Sequence, residues 1–183
     1  MGMSAPVYYT ADMVRALPDD GNRYETVHGE LLVTPAPRAL HQRVLQWLYV
    51  EIALFLRREP VGVPFLSPAD ISWGPDVLVQ PDLFVVDQTQ ADTLDWAAMK
   101  NLLLAAEVLS PSSVRHDRFT KRRLYQQAGI PTYWILDPDE RCVEVWTPDS
   151  TLPAVERDEA VWRPAGASQS LHIVLRDLFD LRR

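Results

Sequence analysis

The chain has 183 residues, of which 47% are hydrophobic, and carries a formal net charge of −7 with a pI near 5.0. That length suggests one domain over 1–183 with one core, burying about two thirds of the surface of the unfolded chain. The acidic balance argues against a protein that coats nucleic acid by bulk charge, because non-specific affinity comes from Lys and Arg neutralising phosphates. A single Cys142, in the alternating stretch CVEVW, excludes a disulfide framework and a cysteine-rich zinc site. No basic start followed by an apolar run opens the chain, Pro6 does not fit a myristoylation motif, and no window approaches the roughly 18 apolar residues of a membrane span. A cytoplasmic location and no membrane partner are expected.

Thr10 is placed to cap a short helix through about Leu17, and PDDGN follows as a turn. RYETVHGELLVTPAP reads as two strands joined at His28-Gly29, with Glu30 opening the second. From Ala39 to about Arg58, His41, Val44, Leu45, Leu48, Ile52 and Phe55 recur at helical spacing. His41 therefore faces inward at a first turn, within reach of a phosphate or a water. A strand at Val61–Leu66 leads into two apolar bursts broken by Pro81-Asp82, which sets Asp82 at an irregular point of the backbone. The stretch DQTQADTLDWAAMKN reads as a surface loop with a helical turn.

The segment Leu102 to Pro138 reads as strand, helix, strand. Leu102 to Leu109 is an apolar run of buried-strand length that contains one carboxylate, Glu107, and an unpartnered buried carboxylate costs several kcal/mol, roughly. SPSS supplies helix caps at Ser110, Ser112 and Ser113. A helix from about Arg115 to Ala128 then stops at Gly129, with Asp117, Lys121 and Tyr125 on one face. Asp117 is expected to favour the helix start or pair with Lys121, and Tyr125 to be core. Of the eighteen basic residues only Lys100 and Lys121 are lysines, so an inward lysine stands out. Arg118, Arg122 and Arg123 fall in the most basic window of the chain and are candidate phosphate contacts. Strands at Thr132–Leu136 and Cys142–Thr147 follow, joined by the turn DPDE. The Pro-rich tail from Ser150 reads as irregular, with one strand near Leu171–Leu175.

Asp82, Glu107 and one inward lysine are the residue types of a metal-dependent phosphodiesterase site, since hard oxygens suit Mg²⁺ and a nearby cation offsets charge on the phosphoryl oxygens. PDLFVVD, EVLSPSS, DRFTKRRLY and GIPTYWILDP, with YETVHGELLVTPAP and the histidine of LHQRV, resemble the Uma-type restriction endonuclease family, a branch of the PD-(D/E)XK nuclease superfamily. The likeness spans roughly Thr10 to Trp146. It implies an α/β (α+β) fold, a restriction-endonuclease-like mixed β-sheet core flanked by helices, and Mg²⁺-dependent cleavage of DNA, with Mn²⁺ as a substitute ion. The superfamily places a lysine two residues after the glutamate, where this chain has Leu109, so the resemblance implies relocation of that lysine to the helix as Lys121. It further implies that Asp82, Glu107 and the Val108 backbone carbonyl hold the metal, that Lys121 orients the attacking water, and that Glu30 reaches the metal through water. A homodimer is expected, because small nucleases that cut two strands often pair. Two other readings stand beside this one: an idle nuclease scaffold that binds nucleic acid or protein, and a hydrolase of another phosphoester.

Overall fold

A computed structural model describes residues 7–180; the expectations that concern the Met1-Gly2 start and Pro6 lie outside them. A six-stranded sheet in the order β10-β9-β8-β7-β6-β3 forms the centre, built from Ala154–Glu156 (β10), Cys142–Trp146 (β9), Tyr133–Asp137 (β8), Leu102–Val108 (β7), Leu83–Val86 (β6) and Val63–Leu66 (β3). A four-stranded sheet, β2-β1-β5-β4, comprises Glu30–Thr34 (β2), Arg23–Val27 (β1), Val77–Val79 (β5) and Ile71–Gly74 (β4). Glu159–Trp162 (β11) and Leu171–Val174 (β12) pair separately. Every pair is antiparallel except β7 with β8, whose register sets Glu107 against Ile135. The expected mixed sheet flanked by helices is the architecture observed.

The period-2 pattern of the central strands explains the layering. Leu83, Val85, Leu104, Ala106, Trp134 and Leu136 face a helix spanning Ala39–Arg58 (α2), whose Val44, Leu45, Leu48, Ile52 and Phe55 form the expected buried stripe. Phe84, Val86, Ala105, Tyr133 and Ile135 face the other way and pack with Val27, Leu32, Val77 and Val79 of the four-stranded sheet. At about 1.5–3 kcal/mol for each fully buried aliphatic or aromatic side chain, these two clusters are what hold the layers together.

Several local signals act as the sequence indicates. Thr10 accepts a hydrogen bond from the Met13 N–H at 3.2 Å and starts a helix at Ala11–Arg15 (α1). His28 and Gly29, at φ 50° and 82°, make the two-residue hairpin turn between Val27 and Glu30, and the Tyr8 ring lies where a Gly29 side chain would project. Two short helical pieces, Gln88–Ala91 (α3) and a 3-10 turn at Trp96–Ala98, occupy the polar stretch before β7.

Three expectations are corrected. The helix after β7 is a π-helical turn, His116–Lys121, continued by an α-helix at Arg122–Gln127 (α4). It ends in a Schellman motif, with Gly129 N–H donating to Gln126 O and Ile130 N–H to Tyr125 O. The tail is far from irregular: it forms β10, β11, β12 and a final helix at Leu175–Leu178 (α5), and Ala160, Trp162, Leu171 and Ile173 join the core against α2. Ile71–Gly74, between the expected strand at Val61–Leu66 and the two apolar bursts, is a further strand, β4. Cys142 is buried and free, and among the described residues no helix is long and apolar enough to cross a membrane.

Candidate active site

Because β6 pairs with β7 as Leu83 opposite Ala106, the preceding residue Asp82 falls opposite Glu107 on the same face of the sheet. The Asp82 backbone N–H donates to Glu107 Oε2 at 3.3 Å, and the Val108 N–H donates to Asp82 Oδ2 at 2.9 Å. Pro81 frees this point from regular pairing, and Asp82 O instead accepts from the Ser67 N–H at 3.2 Å.

Two further elements complete Asp82. His41, in the first turn of α2, sets Nε2 2.8 Å from Asp82 Oδ2, and Arg23 at the start of β1 donates from Nη1 to Asp82 Oδ1 at 2.8 Å. Burial raises the Asp82 pKa, but the His41 hydrogen bond and the Arg23 charge outweigh it and hold the carboxyl well below the usual range.

Glu107 is organised by the π-helical turn and α4. Lys121 Nζ lies 3.0 Å from Glu107 Oε1, 2.9 Å from Glu25 Oε1 and 3.6 Å from Asp117 Oδ1, and the Tyr125 hydroxyl donates to Glu107 Oε1 at 3.1 Å. Lys121 is only 3% exposed. Burial opposes its charge, yet Glu107, Glu25 and Asp117 together keep the ammonium protonated far above its ordinary value. Glu107 is driven upward by burial, against the pull of Lys121 and with the push of Asp82, Asp117 and Glu25. Burial likewise pushes Asp117 up to about 6, and its Oδ1 forms no hydrogen bond.

The expected residues Asp82, Glu107, Val108, Lys121 and His41 thus converge, whereas Glu30 does not. Glu30 is exposed at the hairpin tip, paired with Val27, and the acid that enters the cluster is Glu25, two residues before Val27 and 1% exposed. Both acids share the face of the hairpin that carries Leu32, and position along the strand decides between them, since Glu25 pairs with the fully buried Leu32. Arg23 was missed for the same reason. It shares the Glu25 face of β1 and looks like an ordinary strand-end charge.

The arginines of the basic window do not act as one phosphate-binding face. Arg118 lies 2.9 Å from Asp137 and 2.7 Å from Glu144, so it clamps the helix onto β8 and β9. Arg122 stacks on the Trp146 ring and bonds to Gln126 and the Arg118 carbonyl. Arg123 alone of the three is exposed.

Four buried carboxyls (Glu25, Asp82, Glu107, Asp117) face two permanent cations, Arg23 and Lys121, which leaves two negative charges uncompensated when all four are ionised and His41 is neutral. Arg23, His41, Asp82, Glu107, Asp117 and Lys121 line a cavity of about 20 Å³, room for a water or a small ion. Hard oxygen donors and a deficit of two charges fit a divalent cation of the Mg²⁺ kind. Among the described residues no three His, Cys, Asp or Glu side chains are set to hold an ion by themselves. Asp82 and Glu107 would therefore be its two carboxylate ligands, with the Val108 carbonyl, water and substrate oxygens completing the set.

Comparison with known proteins bears on the fold and the family. A chain described as a putative nuclease belonging to DUF820 from Anabaena variabilis ATCC 29413 superposes with a TM-score of 0.76 at 24% identity, covering 93% of this chain and 97% of that one, which establishes a shared fold. No curated protein sequence matches. The family profile described as "Uma2: Putative restriction endonuclease" matches residues 11–175, a span that holds every residue of the cluster. The chain belongs to the Uma2 family of restriction-endonuclease type.

Proposed function

We propose that the protein is an endonuclease that hydrolyses DNA phosphodiester bonds with Mg²⁺, or Mn²⁺ in its place, held by Asp82, Glu107 and the Val108 carbonyl. The observation that carries this reading is the cross-strand Asp82–Glu107 couple with Lys121 3.0 Å from Glu107. A bound divalent ion supplies Lewis acidity and makes its water easier to deprotonate.

The remaining roles belong to the chain itself. Asp82, held ionised by His41 and Arg23, offers oxygen ligands at any working pH. Lys121 stays charged, so it acts as a hydrogen-bond donor that orients the attacking water and offsets charge on the phosphoryl group, and not as the base. Arg23, with one fifth of its side chain exposed, is the most accessible partner of Asp82 and the one that can swing from Oδ1 to a substrate phosphate. His41 keeps Asp82 oriented through Nε2, and Glu25 holds Lys121 from the far side.

Titrating metal-stripped protein with Mn²⁺ by calorimetry and assaying plasmid cleavage, with mononucleotide esters as a second substrate class, tests the proposal. Saturable Mn²⁺ binding with plasmid cleavage is expected. The complete pairing of Asp82 by Arg23 and His41 favours one second reading, an idle scaffold, and absence of both binding and cleavage would establish it.

A further inference from the structure

One aromatic side chain away from the carboxylate cluster, β4 and the 3-10 turn enclose an open cleft of about 420 Å³, within the size range of small-ligand sites. Two indoles line it. Trp73 is fixed by its Nε1–H donating to Lys100 O at 2.8 Å and by edge-on contact with Tyr125, at 6.2 Å between centroids. Trp96 is 36% exposed, and Phe65 and Phe84 hold it edge-on at 5.4 and 6.1 Å, so a partly bare indole is kept in one orientation. Such a ring is a ready stacking platform, pre-ordered by packing beneath it.

The polar groups of the cleft are unequally committed. Asp70 accepts from Arg15 and Gln80, and Asp95 caps the 3-10 turn through the Ala97 N–H. Lys100 is exposed and forms no ion pair among the described residues. The cleft therefore presents flat aromatic surface beside a spare ammonium, the pairing of features with which proteins take unpaired bases and their phosphates.

We propose that this cleft is a stacking subsite for one unpaired nucleobase, seated on Trp96 against Trp73, with its phosphate toward Lys100. The choice of a nucleobase over another flat ring rests on the nuclease reading above. The subsite touches the reaction centre through Tyr125, which contacts Trp73 on one side and Glu107 on the other.

Fluorescence anisotropy of a short fluorescein-labelled thymidine oligonucleotide, in EDTA and low salt, reads binding without cleavage. Trp96→Ala is expected to weaken binding about ten-fold, and an abasic oligonucleotide to bind the parent as weakly as the normal one binds W96A. Lys100→Ala, on an exposed residue that supports no packing, is expected to lower affinity and the salt slope by about one. Competition with thymidine monophosphate separates the sources of the base. Displacement at the oligonucleotide's own concentration means that a free nucleotide suffices, and a far higher requirement means that flanking phosphates of a strand contribute. The proposal is overturned if the parent does not bind, if the abasic strand binds like the normal one, or if both W96A and K100A bind like the parent. A protein that binds in this way but never cuts keeps the subsite and loses the nuclease reading; one that cuts while indifferent to W96A and K100A does the reverse.

Discussion

Asp82 and Glu107 form one cross-strand unit: the backbone N–H of the first donates to the carboxylate of the second at 3.3 Å, so neither can be displaced without disturbing the other. Asp82→Asn keeps the side-chain shape and removes the charge that Arg23 and His41 have paired. Metal-dependent plasmid cleavage is expected to fall by more than about a hundred-fold, and Mn²⁺ affinity to fall with it, while circular dichroism stays that of the parent. Parent-level cleavage by this variant would falsify the assignment of Asp82.

Among the described residues Lys121 is the sole cation within 4.0 Å of Glu107, and it is shared with Glu25 and Asp117. Lys121→Ala leaves three buried carboxyls without their shared ammonium, an arrangement that costs about 3–5 kcal/mol. Urea unfolding at pH 7 should register a loss of that size, and the double variant Lys121→Met with Glu25→Gln should recover part of it without restoring cleavage. Were the single variant as stable as the parent, the ion pairs would not be formed in solution.

The acid cluster gives stability two opposing pH dependences. Asp82, whose folded pKa is depressed, contributes stability that is present above its ordinary 3.8 and lost as pH falls below it. Asp117 behaves oppositely: with its folded pKa pushed up from 3.8 to about 6, the folded state binds the extra proton, and stability is lost as pH rises from about 4 to 6. Glu107, raised from 4.5, adds to the same decline. Denaturant midpoints measured across pH should peak near pH 4–5. Asp117→Asn should flatten the descent toward neutrality, raising stability at pH 7 by roughly 1–3 kcal/mol; an unchanged slope would show that Asp117 titrates normally.

Glu25 and Glu30 lie in one hairpin yet differ completely in surroundings. Glu25→Gln should shift the pH profile of cleavage, because Lys121 loses its partner at 2.9 Å, whereas Glu30→Gln, on an exposed tip, should leave both activity and stability within about 0.5 kcal/mol of the parent. A similar contrast applies to the arginines. Arg118→Ala should cost stability by unfastening Asp137 and Glu144, and Arg123→Ala should change only the salt dependence of DNA binding.

Much of the site was legible because burial makes charged residues conspicuous. Glu107 inside an apolar strand, Asp82 beside a strand-breaking proline, and Lys121 on the inner helix face each contradict the hydrophobic pattern around them. Glu25 escaped because the hairpin offers two acids, and the choice turns on distance from the sheet. Glu25 and Glu30 lie on the same face of the hairpin as Leu32, but Glu25 sits directly opposite Leu32 whereas Glu30 sits beside the turn, beyond the core edge. The tail was misread for a different reason. Its strands are only three or four residues long, too short for period-2 alternation to stand out among prolines, and they are held by packing against α2 that no local signal reveals.

The Val108 amide hydrogen bonds to a side chain, the Asp82 carboxylate, whereas the next amide along, that of Leu109, bonds to the Leu136 carbonyl of β8. Its rate of exchange with solvent deuterium therefore reports on what Asp82 is doing, independently of the sheet around it. A cation that captured that oxygen would loosen this one proton while its neighbour at Leu109 kept its protection, which turns a single strand position into a built-in gauge of occupancy.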